Sequence, residues 1–531
     1  MPFVKHPEHS FSLEEKWLFE ALTETYLPIM AALERLNNDN IDYRITISLS
    51  PTLCSMFQDG YLCDKYRIYL EKLLDLAEKE VTRTASDPAF ASLAEDYRSR
   101  FQNAYHTFFN VYSGDIVSAF RRLADTGKVE LITCAATHGY LPLLFTQPEA
   151  VYAQLSLAVE QHTRLFGKAP KGIWLPECAY DHGLDAILSD LGINYFFLDS
   201  HGVLFATPRP AFGVYSPLLT QAGVAAFARD PESSKQVWSK AEGYPGDFSY
   251  RDFYRDIGYD LPYEYIAPYI HPDGIRLHTG FKYYRITGMT DYKEPYNLET
   301  ARHRLKEHAG NFMFNRERQI EFLSNELGRP PIIIAPYDAE LFGHWWYEGP
   351  AWLEELCRKV HSEQDIFKLI TPSEFLNLGL PLQVAEPNPS SWGNKGYHEV
   401  WLNQSNDWIY RHLHEAASRM IRATVDFPNA EGLQKEALDQ LARELLLAQA
   451  SDWPFIISSG TMVKYATQRI EDHIIRFHRL HEQIYTGNID NNWLLRLRQK
   501  DSIFPEINYL TYAPQEHTEK IPVPLAGAGA H

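Results

Sequence analysis

Gly172-Ile173-Trp174-Leu175-Pro176-Glu177-Cys178 is a short apolar run that ends abruptly in a carboxylate. Two other runs end in the same fashion: Val129–Ala135 passes into Ala136-Thr137-His138-Gly139, and Pro331–Ala335 into Pro336-Tyr337-Asp338. Apolar runs of this length match strands buried on both faces of a parallel sheet. Polar groups at the carboxyl ends of such strands converge on one rim, where α/β barrels carry their chemistry. Tyr43–Leu49, Tyr195–Leu198 and Ile366–Leu369 read as further strands, separated by amphipathic helices such as Lys65–Ala85 and Pro148–Phe166. The first part of the chain therefore predicts a β/α alternation, either a barrel or a doubly wound sheet.

A chain of 531 residues with 45% hydrophobic content is long enough for a large α/β core plus satellite domains. The aromatic share of 14% supplies flat rings that stack on sugars or bases. A formal net charge of −19 decides between those ligands, because so acidic a surface repels nucleic-acid backbones and anionic membranes. Neutral ligands are favoured, with no nucleic acid and no membrane as partners. The five cysteines form no C-x-x-C pair, so neither a disulfide framework nor a cysteine zinc site is indicated, and a cytoplasmic location fits best. No signal-peptide pattern and no apolar stretch of spanning length is present.

From Gln221 to about Asp260 the sequence turns polar, aromatic and rich in Gly and Pro, which reads as an insertion with a mobile loop. A break at Glu386-Pro387-Asn388-Pro389 precedes three long helical patterns, Asn406–Val425, Glu431–Ala450 and Thr461–Tyr485, expected to form a helical domain. The end of the chain, from Ile521 to His531, has no periodicity and reads as a disordered tail.

Glu177 follows its strand between Trp174 and Tyr180, where a sugar could stack and its anomeric carbon be attacked; the plain alternative is an acid at a helix N-terminus. Asp338 opens Asp338-Ala339-Glu340-Leu341-Phe342-Gly343-His344-Trp345-Trp346-Tyr347-Glu348-Gly349-Pro350, a density of aromatics and acids that packing alone does not explain. Glu340 within it reads as a solvated helix acid. Two carboxyls on one rim suit glycoside chemistry: one stays ionised to attack while the other holds a proton for the leaving oxygen. Facing each other at ~5–5.5 Å, they would give retention. His138 ends a strand and is either a structural hydrogen-bonder or a functional group. It could ligate a metal with Asp338 and His344, but no metal-binding spacing supports this, and none is expected. In Trp392–Trp401 and Ser451-Asp452-Trp453, Trp and Asp suit stacking on glucose and bonding its hydroxyls, against the alternative that the rings fill a domain interface.

Together, Trp174–Tyr180, Leu131–Tyr140, Ala335–Pro350, Trp392–Trp401 and Ser451–Phe455 resemble glycoside hydrolase family 57, and within it the 1,4-α-glucan branching enzymes. The resemblance implies an incomplete (β/α)7 barrel, an inserted helical subdomain with a flexible loop, and a C-terminal all-helical domain. The boundaries expected are 1–176 with 256–386 for the barrel, 177–255 for the insertion, 387–520 for the helical domain and 521–531 for the tail. It further implies Glu177 as nucleophile and Asp338 as acid/base. His138, Trp392, Trp401 and Asp452 become substrate-cleft residues, with Arg255, Gly274 and Thr461 as weaker matches; relatives often carry Gln at the last of these. Tyr244 corresponds to the tip of a loop that excludes water during transfer. No cofactor is implied, and the partner is an α-1,4-glucan such as amylose or glycogen, with no oligomeric state indicated. Branching, α-amylase hydrolysis and 4-α-glucanotransfer share this chemistry and stay open. In relatives a first strand ending in a His-x-His-Leu type motif precedes the Pro2–His9 segment. Either the start lies upstream of Met1, or the barrel has an open edge, lacks a subsite histidine and only binds glucan.

Overall fold

Tyr195-Phe196-Phe197-Leu198 is buried along its whole length, which only a strand covered on both faces achieves. In a computed structural model, which describes residues 1–239 and 242–515, it is the central strand of a seven-stranded sheet. The strands are β1 (Ile45–Ser48), β2 (Val129–Cys134), β3 (Gly172–Trp174), β4 (Tyr195–Leu198), β5 (Leu218–Leu219), β6 (Ala225–Ala228) and β7 (Gln383–Val384), in the spatial order β1-β2-β3-β4-β6-β5-β7. The pairs from β1 to β4 and the β4–β6 pair are parallel; β5 runs antiparallel to β6 and pairs in parallel with β7. Helices cover the sheet, and the architecture is an incomplete (β/α)7 barrel followed by a helical C-terminal region. Helix Pro148–Phe166, between β2 and β3, starts with Pro in its first turn and stops at Gly167, whose φ of 73° continues no helix. No helix among the described residues is long and apolar enough to cross a membrane.

The structure corrects the sequence reading at four places. Pro331–Ala335 is not a ladder strand: Ile334 makes one bridge to Arg229, and the Asp230 N–H donates to the Ile334 carbonyl at 2.8 Å. Pro331 and Pro336 lack the N–H groups a longer ladder needs. Ile366–Leu369 forms no strand either, since the backbone N–H groups of Ile366 and Phe367 are both taken by the Gln364 side-chain oxygen at 2.9 Å. The insertion does not begin at Gln221, because Ala225–Ala228 is a buried sheet strand whose small side chains hide its signal. For the same reason 177–255 is not a separate subdomain throughout: β4, β5 and β6 lie inside it and belong to the sheet. The tail at 521–531 lies outside the described residues.

In the helical region, helix Gly432–Ala448 is buried on nearly every side from Ala437 onward, between helices Trp408–Asp426 and Val463–Thr486. The turn that follows it docks on the end of β2. Gly139 bridges Ala450, the Ser451 N–H donates to the His138 carbonyl at 3.0 Å, and Gln154 donates to Gln449 at 3.0 Å.

The loop carrying Asp338 is pinned from the opposite side. One π-helical turn, Leu22–Tyr26, interrupts the helical run Leu13–Asn38 and turns Glu24 and Tyr26 toward that loop. His344 ion-pairs with Glu24 at 2.7 Å, and the Tyr26 hydroxyl donates to Glu340. Gly343, at a φ of 114°, lies so close that a Cβ would sit 1.8 Å from the Glu24 carbonyl oxygen. Gly343→Ala therefore forces backbone apart as well as straining φ, and should cost about 3 kcal/mol or more. Thermal unfolding checks this; an unchanged midpoint would show that the loop is not seated on the π-turn.

Candidate active site

Glu177 sits in a tight turn after β3 with a φ of 62°, next to Cys178 at 51°; His138, after β2, stands at 58°. Non-glycine residues in this left-handed region are uncommon and concentrate where a side chain must be aimed. Here the turn points Glu177 toward the helical region. The Trp392 indole N–H donates to Glu177 Oε2 at 2.8 Å, and the Ser451 hydroxyl to Oε1 at 3.1 Å. The backbone is locked too, with the Trp392 N–H on the Glu177 carbonyl at 3.0 Å. His138 Nδ1 lies 2.7 Å from the Ser451 hydroxyl and 3.8 Å from the carboxylate. Burial holds the His138 imidazole down to about 4, so it is neutral near pH 7 and the 3.8 Å approach is not an ion pair.

Both acids are displaced upward, chiefly by loss of water. Burial pushes Glu177 up to about 7; the Trp392 and Ser451 hydrogen bonds oppose this, while Asp452 and Asp338 add to it. Burial pushes Asp338 up to about 6, helped by the Glu340 carboxylate and opposed by Arg229. The charge of Asp338 thus reaches Glu177, although it is a smaller influence there than burial or the Trp392 hydrogen bond.

The other residues singled out in sequence divide. His138 and Trp392 are gathered around Glu177, and Asp452 bears on it electrostatically from the residue after Ser451. Trp401 is 1% exposed and stacks on Tyr140 at 4.6 Å, so it has no face free for a sugar. It supports the Trp392 loop instead: a Cβ on Gly393 would lie 2.5 Å from the Trp401 ring. Arg255 pairs with Asp260 at 3.0 Å, Gly274 is a turn glycine at a φ of 81°, and Thr461 bonds Ser459 at 2.7 Å. Tyr244 stacks on His308 with centroids 4.5 Å apart and donates to Asn311 at 2.7 Å. Neither it nor the preceding three touches either acid. A cavity of about 710 Å³ between the Tyr244 loop and helix Leu298–Leu327 is lined by Phe248, Arg304 and His308 among others, and not by Glu177 or Asp338.

Four participants escaped the sequence reading. Ser451 bridges His138 and Glu177, and Arg229 lies over the Trp392 ring at 6.0 Å while pairing with Asp199 at 3.5 Å. Tyr26 and Glu340 are the others. A serine or an arginine has no spacing that marks it; only its neighbours in space do. Glu340 is not the solvated acid its sequence context indicates.

Among the described residues, the ligand atoms of His138, His344 and Asp338 do not come within metal-ligand spacing of one another. Among the described residues one cluster has ligand spacing, the buried Glu444, His473 and Asp501 of the helical region. Two guanidinium groups already serve it: Arg476 meets Asp501 at 2.9 Å and Arg469 meets His473 Nε2 at 3.2 Å. A guanidinium only donates, so Nε2 accepts and His473 Nδ1–H donates to Glu444 at 2.7 Å.

The chain matches the family model "Glycosyl hydrolase family 57" over residues 1–324 and "1,4-alpha-glucan branching enzyme, C-terminal" over residues 412–512. It is 34% identical to the 1,4-alpha-glucan branching enzyme TK1436 of Thermococcus kodakarensis, across 99% of this chain and 79% of that protein. Among solved structures, the alpha-amylase AmyC from Thermotoga maritima is 44% identical with a TM-score of 0.91, covering 97% of each chain. The GH57-type branching enzyme from Pyrococcus horikoshii is 33% identical with a TM-score of 0.87, covering 97% of this chain and 95% of that one.

A carboxyl whose proton is held more tightly in the folded chain contributes stability below its unfolded pKa and loses it as pH rises through the folded value. For Glu177 that window runs from about 4.5 to about 7. Glu177→Gln should therefore raise stability at pH 8 by ~3 kcal/mol at most, with little change at pH 4.5. Chemical denaturation at the two pH values measures the difference; equal effects would show that Glu177 titrates normally.

Proposed function

Because the chain belongs to glycoside hydrolase family 57, we propose that it cleaves α-1,4-glucan chains and transfers them to a C6 hydroxyl, making α-1,6 branches by a retaining double displacement. The observation that carries the chemistry is the half-buried Glu177 carboxyl, held by two hydrogen-bond donors and lying within electrostatic reach of a second half-buried acid, Asp338. In this reading Glu177 attacks the anomeric carbon while Asp338 gives its proton to the departing O4, leaving a glycosyl ester on Glu177. Asp338, now ionised, takes the proton from an acceptor O6–H as that oxygen displaces Glu177 and the branch forms. The Trp392 and Ser451 donors favour the ionised carboxylate needed for attack. His138, neutral, orients Ser451 and leaves the nucleophile's charge uncompensated.

What supports branching over simple cleavage is the match of residues 412–512 to the branching-enzyme C-terminal model and the curated relative from Thermococcus kodakarensis. A second reading, hydrolysis, is favoured by the higher identity to the alpha-amylase of Thermotoga maritima. The two differ only in whether water or a sugar hydroxyl reaches the ester. Incubating amylose with the enzyme and then with isoamylase separates them. New short chains released by debranching are expected, whereas reducing ends without branches would establish the amylase. Glu177→Gln should abolish turnover under either reading while retaining glucan binding.

Trp392→Phe removes one donor from the ionised form of Glu177. The limb of the kcat/KM profile that reports Glu177 should move up by about one pH unit, the size of a single charge-assisted hydrogen bond. An unmoved limb would show that the indole does not tune the nucleophile.

A further inference from the structure

Tyr26 and Glu340 lie outside the motif logic of the site, yet they meet within electrostatic reach of Asp338. Tyr26 belongs to the π-turn Leu22–Tyr26 and is 5% exposed; its hydroxyl donates to Glu340 Oε1. Glu340 belongs to the short turn Ala339–Leu341 that begins at Asp338, and its carbonyl accepts the Trp345 N–H at 3.2 Å. The same π-turn fixes the far end of this loop through the Glu24–His344 ion pair and the Gly343 approach. A packed core element thus holds a carboxylate at a set place beside the acid, although an unconstrained glutamate would turn to water.

On the reading given above, we propose that Glu340, held by the Tyr26 hydroxyl, is a positioning residue whose negative charge keeps Asp338 in its proton-donating form until substrate is bound. Asp338 needs such help. Arg229 faces it from the end of β6, and the Met1 amino group also bears on it; both favour ionisation. Glu340 is the charge opposing them from within the loop. The hydroxyl of Tyr26 serves Glu340 as a donor without neutralising it, which a lysine or arginine in its place would do. The turn requires no new chemical step: the proton that Asp338 passes to the leaving O4 is the one Glu340 has helped it retain.

The test is the pH dependence of kcat/KM on amylose for the full-length chain. Glu340→Gln removes the charge and keeps the size, so Asp338 should lose its proton earlier and the limb that reports Asp338 should move down by about one pH unit. Tyr26→Phe, which deletes a single oxygen and leaves the core volume intact, should move the limb in the same direction by less. Glu340→Asp, which keeps the charge, should restore part of the shift. A uniform loss of rate with the limb unmoved in both Glu340→Gln and Tyr26→Phe would reduce the pair to a structural prop and overturn the proposal. Failure of the acid/base reading itself would be seen separately, as activity surviving in Asp338→Asn.

Discussion

A carboxyl group withdrawn from water at the end of a strand is expensive, and the rest of this structure is arranged around meeting that cost at Glu177. Burial alone would leave the acid protonated and unreactive. Two donors reverse part of this, and they come from far along the chain: Trp392 from the segment after β7, Ser451 from the turn after helix Gly432–Ala448. The helical region therefore does more than cover the barrel. Its docking on β2, through Ala450, Ser451 and Gln449, is what brings the Ser451 hydroxyl within 3.1 Å of Glu177 Oε1.

Asp338 is treated differently. Its loop receives no donor comparable to the Trp392 indole. It is placed beside Glu340 and fastened to a π-turn in the first long helical run. One acid is surrounded by hydrogen-bond donors and the other has a negative neighbour. Burial raises both carboxyls, so what distinguishes them is the kind of neighbour each has and not the direction of the shift.

The aromatic residues show how far a residue type can mislead. Trp392 and Trp401 stand in one motif and look equivalent in sequence. In space the first offers its N–H to Glu177, whereas the second is sealed under it against Tyr140. Likewise Tyr244 rests on His308 and Asn311, on the flank of helix Leu298–Leu327, at a distance from the acids that its place in the loop did not indicate.

The amino-acid sequence by itself determined the α/β class, the positions of the first four sheet strands, the three long C-terminal helices and the acid at the end of β3. These are local properties: apolar run length, helical period, and a charged residue where a strand must stop. It did not reveal β6, whose alanines carry little hydrophobic signal, or the loss of strand character in Pro331–Ala335 and Ile366–Leu369, where prolines and a glutamine side chain remove backbone donors. Nor did it distinguish Ser451, Arg229, Tyr26 and Glu340 from the many residues of their kinds. Which hydroxyl meets which carboxylate across hundreds of residues is decided when the chain packs, because only there does the cost of an unpaired buried group select its partner.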